Sequence, residues 1–179
     1  DGIRDAQGSR GLGDVYKRQV LDQSLHRHLP AATSFDELLG AVKQDIANET
    51  GRLVAQMNEH LAAKATWLPQ PMRSLLIDDC IDRGIDFNAG GARYNWSVVN
   101  IAGMTNLIDS LAAVREVVFD QRELSGAELL SALDADFADR EDLRRRLGRC
   151  PVFGNDAEAV DTLAADVAGF VYEQFRRHR

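Results

Sequence analysis

The sequence predicts a mostly helical fold with few short strands. Apolar residues recur at steps of three and four along much of the chain, and two Ser-x-x-Glu sequences have the spacing of a helix capping box. The run "WSVVNIAG" at residues 96–103 is typical of a short strand. A chain of 179 residues, 45% of them apolar, is long enough for one packed domain or for part of a larger one.

Composition argues against several classes of protein. A formal net charge of −7 gives no indication of a basic face for nucleic acid, and no apolar run approaches the length of a membrane span. Two cysteines far apart do not make a disulfide scaffold, so we expect a cytoplasmic protein. The four histidines and two cysteines share no ligand spacing, so we predict no metal site, and we expect His26 and His28 to be solvated.

The first clear helix is predicted to open at Ser34. Ser34 and Glu37 have the spacing at which each side chain satisfies an amide of the first turn. Apolar residues at helical spacing then predict one long helix to about Ala65. Gly51 weakens this helix locally, because glycine costs about 1 kcal/mol relative to alanine in a helix interior.

A shorter helix is predicted between two prolines and a glycine. Pro69 and Pro71 interrupt the long helix, and helical spacing resumes at Pro71 or Met72 and continues to Arg83. Gly84 follows as a C-terminal stop, since glycine readily takes the left-handed conformation that ends a helix.

Two more helices are predicted after the candidate strand. The first has an apolar face that runs from residue 101 to residue 118. The second opens at Ser125, which forms the second capping box with Glu128. Leu124 and Leu129 have the spacing of a hydrophobic staple across this helix start.

The last two helices differ in character. "DREDLRRRLGR" at residues 139–149 predicts an exposed helix held by salt bridges. After the turn that Pro151 begins, Asn155 or Asp156 is expected to cap the final helix. The residues of this helix predicted to face inward are Val160, Leu163, Val167, Phe170 and Val171.

The segment "GGARYN" at residues 90–95 is the candidate functional site. Its two glycines allow positive φ angles and close backbone approach. Arg93 can bind a carboxylate, Tyr94 can donate a hydrogen bond and Asn95 can donate and accept, so together they could hold a small polar substrate. The alternative is a structural loop, in which Arg93 pairs with a nearby aspartate, Tyr94 packs and Asn95 caps the turn. The glycine spacing is not that of a phosphate-binding loop.

An acidic cluster surrounds Cys80 and consists of Asp78, Asp79, Asp82 and Asp86. On a continuous helix Asp78 and Asp82 would share one face, and their repulsion could raise one carboxyl pKa for acid–base chemistry. The alternative, which we favour, is a solvated helix face balanced by Arg73 and Arg83.

Neither cysteine is predicted to react. Cys80 lies among acids, which raise a thiol pKa, and we expect it to be a small buried residue. Cys150 follows a basic run that could lower its pKa, although that run is more simply part of a salt-bridged helix. The spacings do not support a Ser-His-Asp arrangement.

Four segments, in order, resemble a known family. They are "SFDELLGAVKQDI", "SLLIDDCIDRGIDFNAGGARYN", "NLIDSLAAVREVVF" and "PVFGNDAEAVDTLAADV". Together they resemble the pyruvate formate-lyase-like domain of glycyl radical enzymes over essentially all of residues 20–179. The resemblance implies that the chain is a fragment of a ten-stranded α/β barrel.

The resemblance also implies a chemistry. The parent enzyme would carry a glycyl radical, installed by an activating enzyme that uses S-adenosylmethionine and an iron-sulfur cluster. It would cleave a carbon–carbon or carbon–heteroatom bond of a small organic substrate, as a formate acetyltransferase or as a dehydratase or lyase of the same family. A homodimer is implied for the full-length protein, and no cofactor is expected to be bound by this chain itself.

The chain is expected to be an interior fragment of such an enzyme. Residues 1–19 are expected to be adapter-derived or disordered, and residues 20–179 a partial pyruvate formate-lyase-like domain truncated at both ends. The family's Cys-x-Glu and Arg-Val-x-Gly-Tyr motifs are expected outside the fragment, so we assign no catalytic residue here and expect the isolated chain to be inactive.

Within the chain, the resemblance brings the GGARYN segment close to the substrate cavity. Tyr94 is the first candidate for substrate binding, followed by Asn95 and Arg93. The alternative is a non-catalytic helical interaction module or a degenerate paralogue, whose apolar faces would bind a partner chain.

Overall fold

The structure is a computed structural model that describes residues 12–95, 99 and 101–178, and this part of the chain contains helices and no strand. The helices are α1 (Leu12–His28), α2 (Phe35–Trp67), α3 (Pro71–Ser74), α4 (Cys80–Arg83), α5 (Met104–Val114), α6 (Gly126–Asp134), α7 (Glu141–Leu147) and α8 (Glu158–Arg176). A 3-10 helix (Phe87–Ala89) follows α4, and a π-helical segment (Arg115–Asp120) continues α5. The prediction of a mostly helical chain is confirmed. Half of the strand predicted at residues 96–103 falls outside the described residues, and the described half, residues 99 and 101–103, forms no strand.

The chain divides into two compact units. The described part of the first unit comprises residues 12–49 and Ile101–Arg177, and the second unit comprises residues 50–100 and His178. Helix α2 begins in the first unit and ends in the second. Helix α1 begins at Leu12, inside the stretch expected to be adapter-derived or disordered, and the origin of that stretch stays a prediction.

The first unit has a hydrophobic core built from the apolar faces of its helices. Helix α5 packs against α8, and the core also takes side chains from α1, α2 and α6. The most deeply buried side chains are Leu38, Val42, Leu111, Leu129 and Val167. They lie at the apolar positions of amphipathic helices, which therefore bury one stripe each and leave the other face to water.

The two Ser-x-x-Glu sequences begin helices as predicted. Ser125 accepts a hydrogen bond from the Glu128 amide at 3.2 Å, and the Glu128 carboxylate accepts one from the Ser125 amide at 2.7 Å. At α2 the first bond forms, from the Glu37 amide to Ser34 Oγ at 3.2 Å. The reciprocal bond differs, because the Glu37 carboxylate accepts from the Thr33 amide at 2.8 Å instead of the Ser34 amide. Backbone amides hold the pKa of both glutamates below the ordinary value.

The single helix predicted to end at Arg83 is wrong. Two four-residue helices, α3 and α4, form instead, and Asp79 between them has a left-handed φ of 72° that no α-helical residue adopts. Partners distant in sequence hold this turn, since Asp79 pairs with Arg93 and Ser74 contacts Asp86. Gly84 does end α4 as predicted, with a φ of 61°.

The start of the last helix is also corrected. Helix α8 begins after Ala157 without a side-chain cap, and Asp156 has a φ of 55°, so neither predicted residue caps the helix. The predicted inward face is otherwise confirmed, since its three valines and Leu163 are buried. Phe170 is half-buried, with the Lys43 ammonium 5.5 Å from its ring centre.

No described helix combines the length and the apolar content that crossing a membrane would require. The π-helical segment overlaps the end of the helix predicted over residues 101–118 and extends two residues beyond it, and Val117 in it is fully buried. Such segments are rare and widen a helix by one residue per turn.

Candidate functional site

The candidate site is the loop from Gly90 to Asn95, in the second unit. Asp86 anchors the chain just before it. The Asp86 carboxylate accepts hydrogen bonds from the backbone amides of Gln70 and Asn88 at 2.8 Å each, and lies 2.8 Å from the Ser74 hydroxyl. Desolvation raises the pKa of Asp86, but these hydrogen bonds to the ionised form outweigh it and hold the pKa below the ordinary value. One carboxylate therefore ties α3 to the 3-10 helix that leads into the loop.

Glycine is required at positions 90 and 91 for different structural reasons. Gly90 has a φ of 86°, a left-handed conformation that favours glycine. Gly91 is needed for space, because a β-carbon there would lie 1.9 Å from the carbonyl oxygen of Ile85. The Gly91 amide also donates a hydrogen bond to the Asp86 carbonyl at 3.0 Å, which holds the start and the end of this turn together.

Two arginines, Arg83 and Arg93, hold the loop in place through hydrogen bonds. Arg93 Nε lies 3.1 Å from both carboxylate oxygens of Asp79, and Arg93 Nη2 donates to Asp79 Oδ1 at 2.5 Å, so two guanidinium nitrogens bind the carboxylate in a bidentate pair. This hydrogen bond from Arg93 holds the pKa of Asp79 below its ordinary value and raises the pKa of Arg93. Arg83 donates from one nitrogen to the carbonyl oxygens of Gly90 at 3.3 Å and Gly91 at 3.2 Å. Arg93 thus takes the structural role that the sequence offered as an alternative to substrate binding.

Tyr94 and Asn95 follow this fixed turn. Tyr94 is 72% exposed, and Asn95 is also exposed. The Asn95 amide nitrogen would lie 3.2 Å from a β-carbon on Gly90, so the side chain folds back across the glycine turn. The loop therefore presents a phenol and an amide, which between them can donate and accept hydrogen bonds. Their role in substrate binding, like that of Arg93, stays a prediction.

The acidic cluster is not a helix face. Because α3 and α4 are separate helices, Asp78 and Asp82 do not lie on one face of a continuous helix. The structure therefore gives no support to a raised carboxyl pKa through their repulsion. The balancing cations are also different from those expected. Arg73 lies over the Phe87 ring at 3.9 Å, whereas Arg93 pairs with Asp79 and lies 3.9 Å from the Asp78 carboxylate.

Sequence reasoning identified the loop but missed what positions it. Asp86, Asp79 and Arg83 were assigned to a solvated surface, yet each holds part of the loop backbone or of Arg93. A local signal existed for Asp86, since an aspartate two residues before Asn88 has the spacing of an Asx turn. The Asp79–Arg93 pair spans fourteen residues and leaves no local pattern.

The two cysteines lie in different units. Cys80 and Cys150 are both free and buried, as predicted for Cys80. Burial raises the pKa of Cys150 and outweighs the opposing effect of the Arg146 guanidinium 3.3 Å away. The basic run does form the predicted salt-bridged helix, in which Arg144 and Arg145 both pair with Glu141.

His26 and His28 lie near carboxylates. In the part of the chain that the structure describes, no group of three or more His, Cys, Asp or Glu side chains could bind an ion. His26 instead lies 2.9 Å from Asp134, and His28 lies 3.2 Å from Asp45. His26 is bonded most strongly to the Asp22 backbone carbonyl, and this bond raises its pKa.

A cleft of about 530 Å³ lies in the first unit, away in sequence from this loop. Phe35, Arg115 and Asp120 contribute to its lining. Arg115 pairs with Asp120 at 3.5 Å and lies 5.3 Å from the centre of the Phe35 ring. These contacts occupy Arg115 and Asp120 within the fold, while Asp36 and Arg122 also line the cleft. The GGARYN loop remains the candidate that the sequence singled out.

The helical chain and its glycine loop match a class of enzyme domains. A model of the pyruvate formate lyase-like family matches residues 9–179. The chain belongs to the pyruvate formate lyase-like family, and the resemblance drawn from the four sequence segments is confirmed.

Two curated relatives show how similar the sequences are and how much of each chain aligns. The chain is 35% identical over 147 residues to (2S)-3-sulfopropanediol dehydratase of Klebsiella oxytoca, covering 81% of this chain and 17% of the relative. It is 32% identical over 148 residues to trans-4-hydroxy-L-proline dehydratase of Clostridioides difficile, covering 79% of this chain and 18% of the relative. The chain thus spans less than a fifth of the length of these two relatives.

A solved structure confirms the fold assignment. The glycerol-bound B12-independent glycerol dehydratase of Clostridium butyricum superposes on 87% of this chain with a TM-score of 0.79 and 29% identity. The match covers 22% of that structure's chain. The described helices are therefore one portion of a larger enzyme fold.

Proposed function

We propose that the protein containing this chain is a glycyl radical dehydratase, or a lyase of the same family, acting on a small polar organic substrate. The observation that carries the proposal is the family match over residues 9–179, together with relatives that are dehydratases of hydroxylated compounds. This match favours an enzyme over the interaction module considered from sequence. Because the chain spans less than a fifth of these relatives, the activity belongs to the whole protein.

The role of this chain would be to shape one part of the substrate cavity. The Gly90–Asn95 loop has its backbone fixed by Arg83, Asp86 and the Gly91 contact, so it can hold side chains in a defined position. A dehydratase must separate a hydroxyl group from carbon. A phenol or an amide that donates a hydrogen bond to that hydroxyl favours its departure, and Tyr94 and Asn95 provide these donors.

Arg93 acts in this proposal as a positioning residue. Its guanidinium is paired with Asp79. This pair fixes the backbone at residue 93 and thereby the position of the next residue, Tyr94. The glycyl radical supplies hydrogen-atom abstraction to the complete enzyme and is installed by an S-adenosylmethionine-dependent, iron-sulfur activating enzyme. The proposal also includes a homodimeric, cytoplasmic protein. The free Cys80 and Cys150 thiols support the reducing compartment alone.

Turnover by the complete protein tests the proposal. The protein is activated anaerobically and assayed for a glycyl radical by electron paramagnetic resonance, and for dehydration of 3-sulfopropanediol, trans-4-hydroxy-L-proline and glycerol. We expect the radical signal and dehydration of a compound of this class. A protein that forms no radical and converts none of these compounds would refute the proposed function.

Tyr94→Phe tests the loop separately from the overall activity. Loss of one hydrogen bond to the reacting group is expected to lower kcat/KM by about tenfold or more. Tyr172→Phe is a matched control, since Tyr172 is 60% exposed on α8 in the other unit. A radical signal with unchanged kinetics in Tyr94→Phe would keep the enzyme class and remove Tyr94 from the site.

A further inference from the structure

The segment from Trp67 to Ile81 has its polar and apolar groups in the reverse of the usual arrangement. Its large hydrophobic side chains are exposed, with Trp67 at 79%, Met72 at 74% and Leu76 at 85%. The side chains that are buried there are small: Ser74, whose hydroxyl lies against Asp86, and Cys80. Single exposed hydrophobic residues are ordinary, but a cluster of them within fifteen residues is typical of an interaction surface. We call this cluster the 67–81 surface; its members are Trp67, Leu68, Met72, Leu75, Leu76 and Ile81.

The two units differ in how they use their hydrophobic residues. Among described residues, ten of the fourteen exposed large hydrophobics fall in the second unit, whereas the core cluster of buried residues belongs entirely to the first unit. The buried hydrophobic residues of the second unit are the small Cys80 and Ala92. Hydrogen bonds and ion pairs fix its backbone, as described for Asp86 and Asp79, but its large apolar side chains are not buried among one another.

We propose that the 67–81 surface is an intramolecular interface, covered by a part of the same polypeptide that lies outside these 179 residues. The share of sequence outside this chain supports this occupant. The matched relatives are more than five times as long as the aligned stretch, and the chain superposes on 22% of the glycerol dehydratase chain. A polypeptide of that length has ample apolar surface to cover six side chains.

Charge next to the surface argues against a lipid membrane as the occupant. Asp78, Asp79 and Asp82 lie within or beside the segment, with Asp78 83% exposed. The two arginines of the same stretch are used inside the unit, since Arg73 lies over the Phe87 ring and Arg83 binds the loop carbonyls. Peripheral membrane surfaces combine apolar side chains with lysine and arginine, because cellular membranes carry anionic lipids. A chain segment of the same protein needs no such cations.

Thiol labelling compares the surface with and without the rest of the polypeptide. Leu76→Cys is introduced both in the 179-residue chain and in the complete polypeptide encoded by the same reading frame. Alkylation is followed at the peptide level by mass spectrometry, so that Cys80 and Cys150 are read separately. Arg145→Cys is the matched control, since Arg145 is 70% exposed on the charged helix α7. Labelling needs no radical and no turnover, so its result is independent of the proposed function.

In the complete polypeptide we expect labelling of Leu76→Cys to slow by at least about tenfold relative to the 179-residue chain, with a smaller change for Arg145→Cys. Equal rates in the two proteins would overturn the proposal, and so would a reading frame no longer than this chain. If Leu76→Cys were labelled slowly already in the 179-residue chain, and that chain ran as a dimer of twice its 19.8 kDa mass, the surface would instead be an interface with a second copy. Protection that requires phosphatidylserine vesicles would assign it to a membrane. Hydrogen exchange of residues 67–81 in the unsubstituted proteins gives the same comparison if the cysteine variants do not fold.

Discussion

Replacing Gly91 by alanine tests the view that close backbone approach holds the candidate site together. The added β-carbon would lie 1.9 Å from the Ile85 carbonyl oxygen and 2.8 Å from its carbon. Both obstructing atoms belong to the backbone, so no side-chain rotation can relieve the overlap. A β-carbon is essentially never found closer than 3.0 Å to such an atom, so the backbone at Gly91 and at Ile85 must separate by about 1.1 Å.

The magnitude follows from that displacement. The hydrogen bond from the Gly91 amide to the Asp86 carbonyl is 3.0 Å long and would stretch beyond hydrogen-bonding range. Its loss costs about 0.5–1.5 kcal/mol, and the overpacking itself costs about 1–3 kcal/mol. We therefore expect Gly91→Ala to destabilise the loop by about 2–4 kcal/mol.

Hydrogen exchange measured by mass spectrometry on peptides covering residues 80–95 reports this change directly. Exchange in these peptides should rise, while peptides of α5 and α8 keep the wild-type protection. Gly40→Ala is the matched control, because nothing lies within 4 Å of its β-carbon and alanine in α2 should stabilise by about 0.5–1 kcal/mol. Wild-type exchange in Gly91→Ala would refute the steric argument.

Three further predictions concern the core, the loop pair and the helix α7 contacts. Leu111→Ala removes a fully buried side chain and should lower the free energy of unfolding of the first unit by about 2–5 kcal/mol, measured by urea denaturation. Asp79→Asn should increase exchange in the loop at neutral pH, because the folded-state pKa of Asp79 is lowered by its bond to Arg93; this stabilisation exists above the unfolded-state pKa and is lost below about pH 4. Arg146→Met should lower the urea midpoint, because two partly buried glutamates lose their shared cation, whereas Arg145→Met should have little effect.

Each of these has a result that would count against it. For the core, Leu133→Ala at a 36% exposed position should cost much less, and equal losses would mean that burial does not decide the effect. For the loop pair, the difference between wild type and Asp79→Asn should shrink as the pH falls from 5 to 3, and a constant difference would exclude the ionised pair as its source. For α7, equal midpoints for Arg146→Met and Arg145→Met would show that Glu116 and Glu123 do not depend on Arg146.

The elements that sequence predicted well are those set by local chemistry. Helix α2 begins at Phe35 after Ser34 and ends at Trp67, two residues beyond the predicted end, because amphipathic spacing and a capping side chain are both readable along the chain. The same holds for α6 and its complete capping box at Ser125. Gly84 was also predicted as a stop, since a left-handed helix end favours glycine.

The elements that sequence misjudged depend on distant partners. The helix predicted to reach Arg83 breaks because Asp79 is drawn into a pair with Arg93 and because Ser74 is held by Asp86. Local propensity is weak beside such contacts. At the candidate site, sequence predicted the glycine turn and the polar residues on it, but the assignment of Arg93 to the loop's own support required coordinates.

The first unit is discontinuous along the chain, and this sets an order of events during synthesis. Leu38 and Val42 leave the ribosome early, but their partners on α5 and α8 lie between residues 104 and 176. At a translation rate of about 5–20 residues per second, the 128 residues from Thr50 to Arg177 take about 6–26 s to appear. Until α5 and α8 are complete, the apolar face of α2 lacks the core partners that these two helices supply, although α1 has already emerged. This makes the nascent chain a candidate client for chaperones that bind exposed hydrophobic segments.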